Sequence, residues 1–334
     1  MGHEITVRED GRAEAAFALR PAWHGLGVVL DHPMTSAEAL EAAGLNWRVE
    51  QVPVAAKYAS HYEDIRGVYA NVRSDTHAVL GIVSGRYKVV QNDEAFAFLD
   101  RLIEDHQMEY ESAFSLRGGK QVVLLARLPK SDQIVSGDEV LRYVLLSLAH
   151  DGEGSIRFGP TSVRVVCANT FALASKSKEV KSLSIRHSGD IDAKLQQARD
   201  ILRQVNDQFD KYAEVGRELA KVRLSAGDWF RLLDVLCPLL DEADPDYTER
   251  RQNQLIKTRR GITQAFHNWT QASAPRSAWA AFNAVTEFID HLPRRGATYR
   301  QKAEARFNVC LFGPGRDMKQ RAFEAVCRIA GVAV

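Results

Sequence analysis

Val140–His187 reads VLRYVLLSLAHDGEGSIRFGPTSVRVVCANTFALASKSKEVKSLSIRH. Two near-continuous apolar runs in it, Tyr143–Ala149 and Val163–Cys167, have the length of buried strands. The Gly-rich segment His150–Ser155 predicts a turn between them, and a short helix is expected at Asn169–Ser175. A basic, serine-rich loop then ends at Arg186-His187. From Ser155 to His187 the cations Arg157, Arg164, Lys176, Lys178, Lys181 and Arg186 face one acid, Glu179. The whole chain of 334 residues has 44 Lys+Arg against 43 Asp+Glu, so this imbalance is local and marks a working surface.

Towards the N-terminus the pattern mixes helix and strand. Thr35-Ser-Ala-Glu38 has the spacing of a capping box, with Gly44 placed to end that helix. Strand-like alternation covers Trp47–Tyr58, Tyr62–Val72 and Ala78–Val83. Asn92 is expected to cap a helix that turns Phe96, Leu99 and Ile103 inward and Asp100, Glu104 and Asp105 outward. Strands at Glu109–Leu116 and Gln121–Leu128 flank the turn Arg117-Gly-Gly-Lys120. The first half therefore predicts an α+β domain, residues 1–187, with a largely antiparallel sheet.

Beyond Ser188 the pattern becomes helical. Ile191, Leu195, Ala198, Leu202, Val205, Phe209, Tyr212 and Leu219, with Gly216 in one slot, form a heptad seam. Such a seam packs lengthwise on a partner helix, either of the same chain or of a second subunit, and a homo-oligomer is expected. Further helices are predicted after Ser225, after the acidic loop Asp241–Asp246, at Ala278–His291 and at Met318–Ala330, giving a helical part over 188–334.

Composition excludes several classes. No apolar run has bilayer-spanning length, and MGHEITVREDGRAEAA lacks the apolar core of a secretory signal. Four scattered cysteines without a CxxC pair predict free thiols, and the expected location is the cytoplasm. No GxxxxGK[ST], strand-to-helix GxGxxG, HExxH or GxSxG occurs, so ATP-driven and dinucleotide-dependent chemistry loses its usual sequence support. No cofactor or metal is expected.

The segments Trp23-His24-Gly25-Leu26-Gly27, Ser162–Thr170, Ile185-Arg186-His187 and Trp279–His291 resemble, in order, a family of phage/plasmid-like proteins built on a domain of unknown function. The resemblance covers nearly the full length and implies a role in DNA or nucleotide metabolism. A second resemblance is architectural. Single-strand annealing proteins of the Redβ, RecT and Erf kind have a β-β-β-α core that is basic along one groove, and they assemble into rings or filaments. That likeness implies an ATP-independent annealing or recombination role.

A groove for single-stranded nucleic acid needs cations along the phosphates and flat side chains under the bases. Arg157, Arg164, Lys176, Lys178, Lys181 and Arg186 supply the cations, Arg117 and Lys120 extend them, and Phe158 is the nearest aromatic. A second polar set comprises Trp23, His24, Asn169, His187, Asn283, Glu287 and His291. Glu287 and His291 lie one helical turn apart, as two metal ligands would, or as members of a polar interhelix network. Cys167 with His187 and Asn169 has the composition of a nucleophilic site, although a thiol ending an apolar strand serves equally as a small core residue. His150-Asp151 is either a base with its orienting acid or a turn. An enzyme acting on nucleic acid or nucleotides, and a structural protein docking through the heptad helix, are the competing functions.

Overall fold

The computed structural model of the chain describes residues 5–19, 26–106, 108–152, 156–164, 169–172, 183–185, 191–291 and 314–333. Side-chain alternation builds its centre. On the hairpin of β7 (Gln121–Val135) and β8 (Asp138–Ala149), Val122, Leu124, Ala126, Val144, Leu146 and Leu148 share one face and are buried. Each valine or leucine among them contributes roughly 1.5–3 kcal/mol by leaving water. Around this hairpin lie β6 (Glu109–Leu116), β1 (Ala15–Ala18) and β2 (Val28–Leu30) on one side, and β9 (Ile156–Arg164) with β10 (Asn169–Ala172) on the other. The order is β10-β9-β8-β7-β6-β1-β2, and β11 (Leu183–Ile185) also pairs with β9. Among the described strands of this sheet, only β1 and β2 pair in parallel. The fold is α+β, as the sequence predicts.

The helix expected at Asn169–Ser175 does not form over its described part, because Asn169–Ala172 pair with Arg164–Thr161 as β10. Sheet hydrogen bonding offered by β9 overrides the N-cap preference of an asparagine.

A smaller antiparallel sheet, β3 (Val49–Tyr58), β4 (His61–Arg73) and β5 (Val79–Ser84), matches the three predicted strands. Arg73 welds it to the main sheet. Its guanidinium stacks on Trp47 at 4.2 Å and donates to Glu14 Oε1 at 2.7 Å and Asp75 Oδ2 at 2.8 Å.

Helix α1 (Ser36–Ala42) opens with the predicted Thr35–Glu38 capping box. Helix α2 (Asn92–His106) buries Phe96 and Leu99 as expected, but Asn92 is not its side-chain cap. Asn92 is buried, donates to Leu45 O at 2.8 Å and faces His150 Nε2 at 3.0 Å. Glu94 serves the helix start by accepting from Gln91 N at 2.9 Å.

Helix α3 (Ile191–Lys221) carries the heptad seam into two cores. Leu202, Val205 and Phe209 pack under the central sheet with α1 and α2. Tyr212 and Leu219 join a second core with Ile134 and Val140 and with α4 (Ala226–Leu236), α5 (Glu249–Phe266), α6 (Ala278–His291) and α7 (Pro314–Ala330). Gly216 lets Trp279 approach: a Cβ there would meet the indole at 3.2 Å. From Leu202 to Leu219 the seam is thus filled within the chain itself.

Cys237 and Cys327 are buried, and burial pushes both thiols up, Cys327 to about 12. Thiolate, the reactive form, is therefore scarce at both. With Cys167 and Cys310 replaced by serine, neither should be alkylated by iodoacetamide at pH 8 until urea unfolds the protein. Labelling of the native chain within minutes would contradict this packing.

Candidate nucleic-acid interface

Three of the predicted cations gather at one end of the central sheet, where β7 and β9 begin and β8 ends. Arg117 opens the tight turn between β6 and β7, and its guanidinium donates to Asp151 Oδ2 at 3.2 Å while remaining 37 % exposed. Lys120 follows, half-buried, its carbonyl accepting from His150 N at 2.8 Å. Arg157 is exposed on β9, opposite Ser147 of β8 and Ser184 of β11. Arg164 stands opposite Val140, seven residues along β9 and so roughly 23 Å from Arg157. The two arginines mark opposite ends of one strand, an odd number of positions apart, so strand alternation does not place them on one face.

The edge of β9 explains how the lysine segment is anchored. β10 pairs with it as far as Ala172–Thr161, and β11 resumes at Leu183–Phe158. Gly159 and Pro160 lie between, and Pro160 has no N–H to give a neighbouring strand. Both flanks of the segment are therefore held on one strand edge, about 10 Å apart. Residues 173–182 between them include Lys176, Lys178 and Lys181. These lysines, with Cys167, Arg186 and His187, lie outside the described residues.

Phe158 corrects the sequence reading. It is 1 % exposed and meets Phe98 edge-on at 6.3 Å, so it belongs to the core and offers no ring to a base. His150 and Asp151 are likewise employed in the fold. His150 is buried against Trp47 and Asn92, its carbonyl accepts from Asn71 Nδ2 at 2.8 Å, and Asp151 holds Arg117.

The second polar set is dispersed. Trp23, His24 and His187 lie outside the described residues. Gly27, which closes the Trp-His-Gly motif, has φ +93° and packs so tightly on Ala15 that a Cβ would sit 2.6 Å from its carbonyl oxygen. It lines an open cleft of about 400 Å³ with Arg8, Arg12, Leu26 and Gly44. Arg8 is tied to Glu14 at 3.0 Å and to Gly44 O at 2.6 Å.

Asn169 lies on β10, which runs beside α6. On α6 itself, Asn283 donates back to Trp279 O at 2.9 Å. Glu287 accepts from Asn268 Nδ2 at 2.6 Å, Thr270 Oγ1 at 2.6 Å and Gln271 Nε2 at 2.8 Å. Asp290, one turn from Glu287, pairs with buried Lys319 at 2.5 Å. His291, half-buried, ends the helix. This is the polar interhelix network, and among the described residues no group of three His, Cys, Asp or Glu is placed to hold a metal.

A model of the family described as Domain of unknown function (DUF932) matches residues 79–310. The chain belongs to the DUF932 family. The match begins at β5 and ends beyond α6, so the DUF932 region takes in the cationic sheet end, the β9 edge and the Glu287 network. The β3–β4 hairpin precedes it. No curated protein and no solved structure matches the chain. Among the described residues, no helix of this DUF932 protein is long and apolar enough to cross a membrane.

The sequence reading missed the use of Asn92, Asn71 and Tyr87 around the end of β8. Tyr87 donates to Ala149 O at 2.9 Å, and burial pushes its hydroxyl up to about 12. Nothing local in the sequence marks these residues, because their partners lie 58 to 79 positions away.

Proposed function

We propose that the protein binds single-stranded DNA along the β9 edge and acts as an ATP-independent annealing or recombination protein of phage or plasmid origin. What supports the reading is one juxtaposition: the flanks of the lysine-bearing segment pair with β9 at Thr161 and at Phe158, the second of them next to Arg157 and towards the end that carries Arg117 and Lys120. The α+β part, residues 1–187, supplies this surface, and the helices behind it support the sheet. The bases need another platform than Phe158, so the sheet end acts mainly on the phosphates and discriminates little between sequences.

The test is oligonucleotide binding across a salt series. The wild type should bind a 30-mer at 50 mM salt, with an affinity that falls steeply as salt rises. Replacing Arg157, Lys176, Lys178 and Lys181 with alanine should weaken all sequences alike and lower the log–log salt slope by about 3, at ~0.7 per phosphate contact on a single strand. No binding by the wild type at low salt would end this reading.

A further inference from the structure

From Arg250 to Thr286 the chain contains no Asp or Glu, while Arg250, Arg251, Lys257, Arg259, Arg260 and Arg276 all fall within it. The acids of this region, Asp241–Glu249, come before or at the start of α5. Two of its arginines are occupied: Arg251 reaches Asp246 at 3.1 Å, and Arg259 pairs with Asp234 and donates to Cys237 O at 2.7 Å. Arg250, Lys257 and Arg260 are exposed, and among the described residues no carboxylate pairs with them.

At about 100° per residue, Arg250, Lys257 and Arg260 fall with Asn253, Gln264 and His267 in an arc of roughly 100°. All six are exposed. Buried Ile262, Ala265 and Phe266 lie on the other side of the helix. The stripe from Arg250 to His267 is about 26 Å long.

Trp269 follows, no more than about 7 Å of backbone past His267. It is 72 % exposed, whereas Trp47, Trp229 and Trp279 are buried. Its exposure is held in place by the fold. Glu287 binds Asn268 on one side of it and Thr270 and Gln271 on the other, clamping the short turn Trp269–Gln271 with the indole outward. A solvent-facing indole on a clamped turn, beyond a row of cations with no ion-pair partner among the described residues, has the two parts that a single strand needs, charge for phosphates and a flat ring for a base.

We propose that the outer face of α5, with Trp269, is a second binding surface for single-stranded nucleic acid. It goes beyond the sheet-end surface, sharing its ligand class and none of its residues. The cations carry affinity, and Trp269 carries the preference for unpaired bases, because a duplex offers no free base face.

The experiment uses the full chain, oligo(dT) and a matched duplex, with Cys-to-Ser changes omitted. Binding of oligo(dT) should quench the emission of Trp269, and Trp269→Phe should abolish that quench. The triple change Arg250→Ala, Lys257→Ala, Arg260→Ala should weaken binding about tenfold or more at low salt and lower the salt slope by about 2. All three sites are exposed, so the melting temperature should stay where it is. Unchanged affinity and slope in the triple variant would overturn the inference. So would equal quenching by the duplex. If the sheet-end variant loses binding while the α5 variant keeps it, this inference fails and the proposed function stands. If the wild type binds nothing, both fail.

Discussion

Arg142→Met should cost about 3–5 kcal/mol of folding stability, the usual loss when one member of a buried ion pair is removed. Arg142 on β8 has no solvent exposure. It donates to Asp132 through Nε at 2.7 Å and Nη2 at 2.6 Å, and it also pairs with Asp210 of α3. Its guanidinium lies over Phe209 at 5.2 Å. Burial works against the charge of Arg142, but the hydrogen bonds to Asp132 and Asp210 outweigh it, and the pKa is raised. The residue therefore joins helix to sheet where the two cores meet. Methionine would fill much of the volume and leave Asp132 buried and without this partner.

Urea unfolding followed by far-ultraviolet circular dichroism checks the prediction, and a loss under about 1 kcal/mol would refute it. The double change Arg142→Met, Asp132→Leu should recover part of the loss, since no buried charge is then left without a partner: Arg217, which also reaches Asp132, is 45 % exposed, and Asp210 keeps Lys130. Acid should act in the same direction. Hydrogen bonds from Lys130 and Arg142 lower the pKa of Asp210 below its ordinary 3.8. Its contribution is present above that ordinary value and is lost as pH falls through the lower folded one.

Glu287→Ala should have the second largest effect, a loss of about 3 kcal/mol or more. Hydrogen bonds to a charged group are worth roughly 1.5–3 kcal/mol each, and donors left buried without an acceptor add their own cost. Asn268, Thr270 and Gln271 would all lose the carboxylate they share. Glu287→Gln should be milder but still destabilising, because an amide offers one acceptor oxygen where the carboxylate offers two. Thermal melting gives the stability, and the anisotropy of Trp269 emission reports whether its turn has loosened. A fully stable Glu287→Ala protein with an unchanged Trp269 signal would remove the clamp from the account.

How much was legible in the sequence depended on the distance between partners. The Thr35–Glu38 capping box closes within four residues, and it forms as predicted. Period-two alternation located β3 to β5, a tight-turn signal located β6 and the start of β7, an apolar run located β8, and the heptads located α3. The cationic face of α5 is equally local, a matter of spacing. Which of its arginines are spent is not, since Arg259 finds Asp234 on another helix 25 positions back. Phe158 was misassigned because the segment Ile156–Arg164 shows no clear alternation from which its buried side could be read. Asn169 and Asn92 carry the side chain of a helix cap, yet one was claimed by a strand edge and the other by His150.

By itself, then, the sequence determined the class of the fold, the helix and strand periods, and the places where cations outnumber acids, because each of these is set by neighbours a few residues apart. Tertiary structure alone decided which charges are neutralised, which aromatic rings are buried and which strand anchors the lysine segment. Those outcomes rest on contacts between residues far apart in the chain, and no local pattern encodes them.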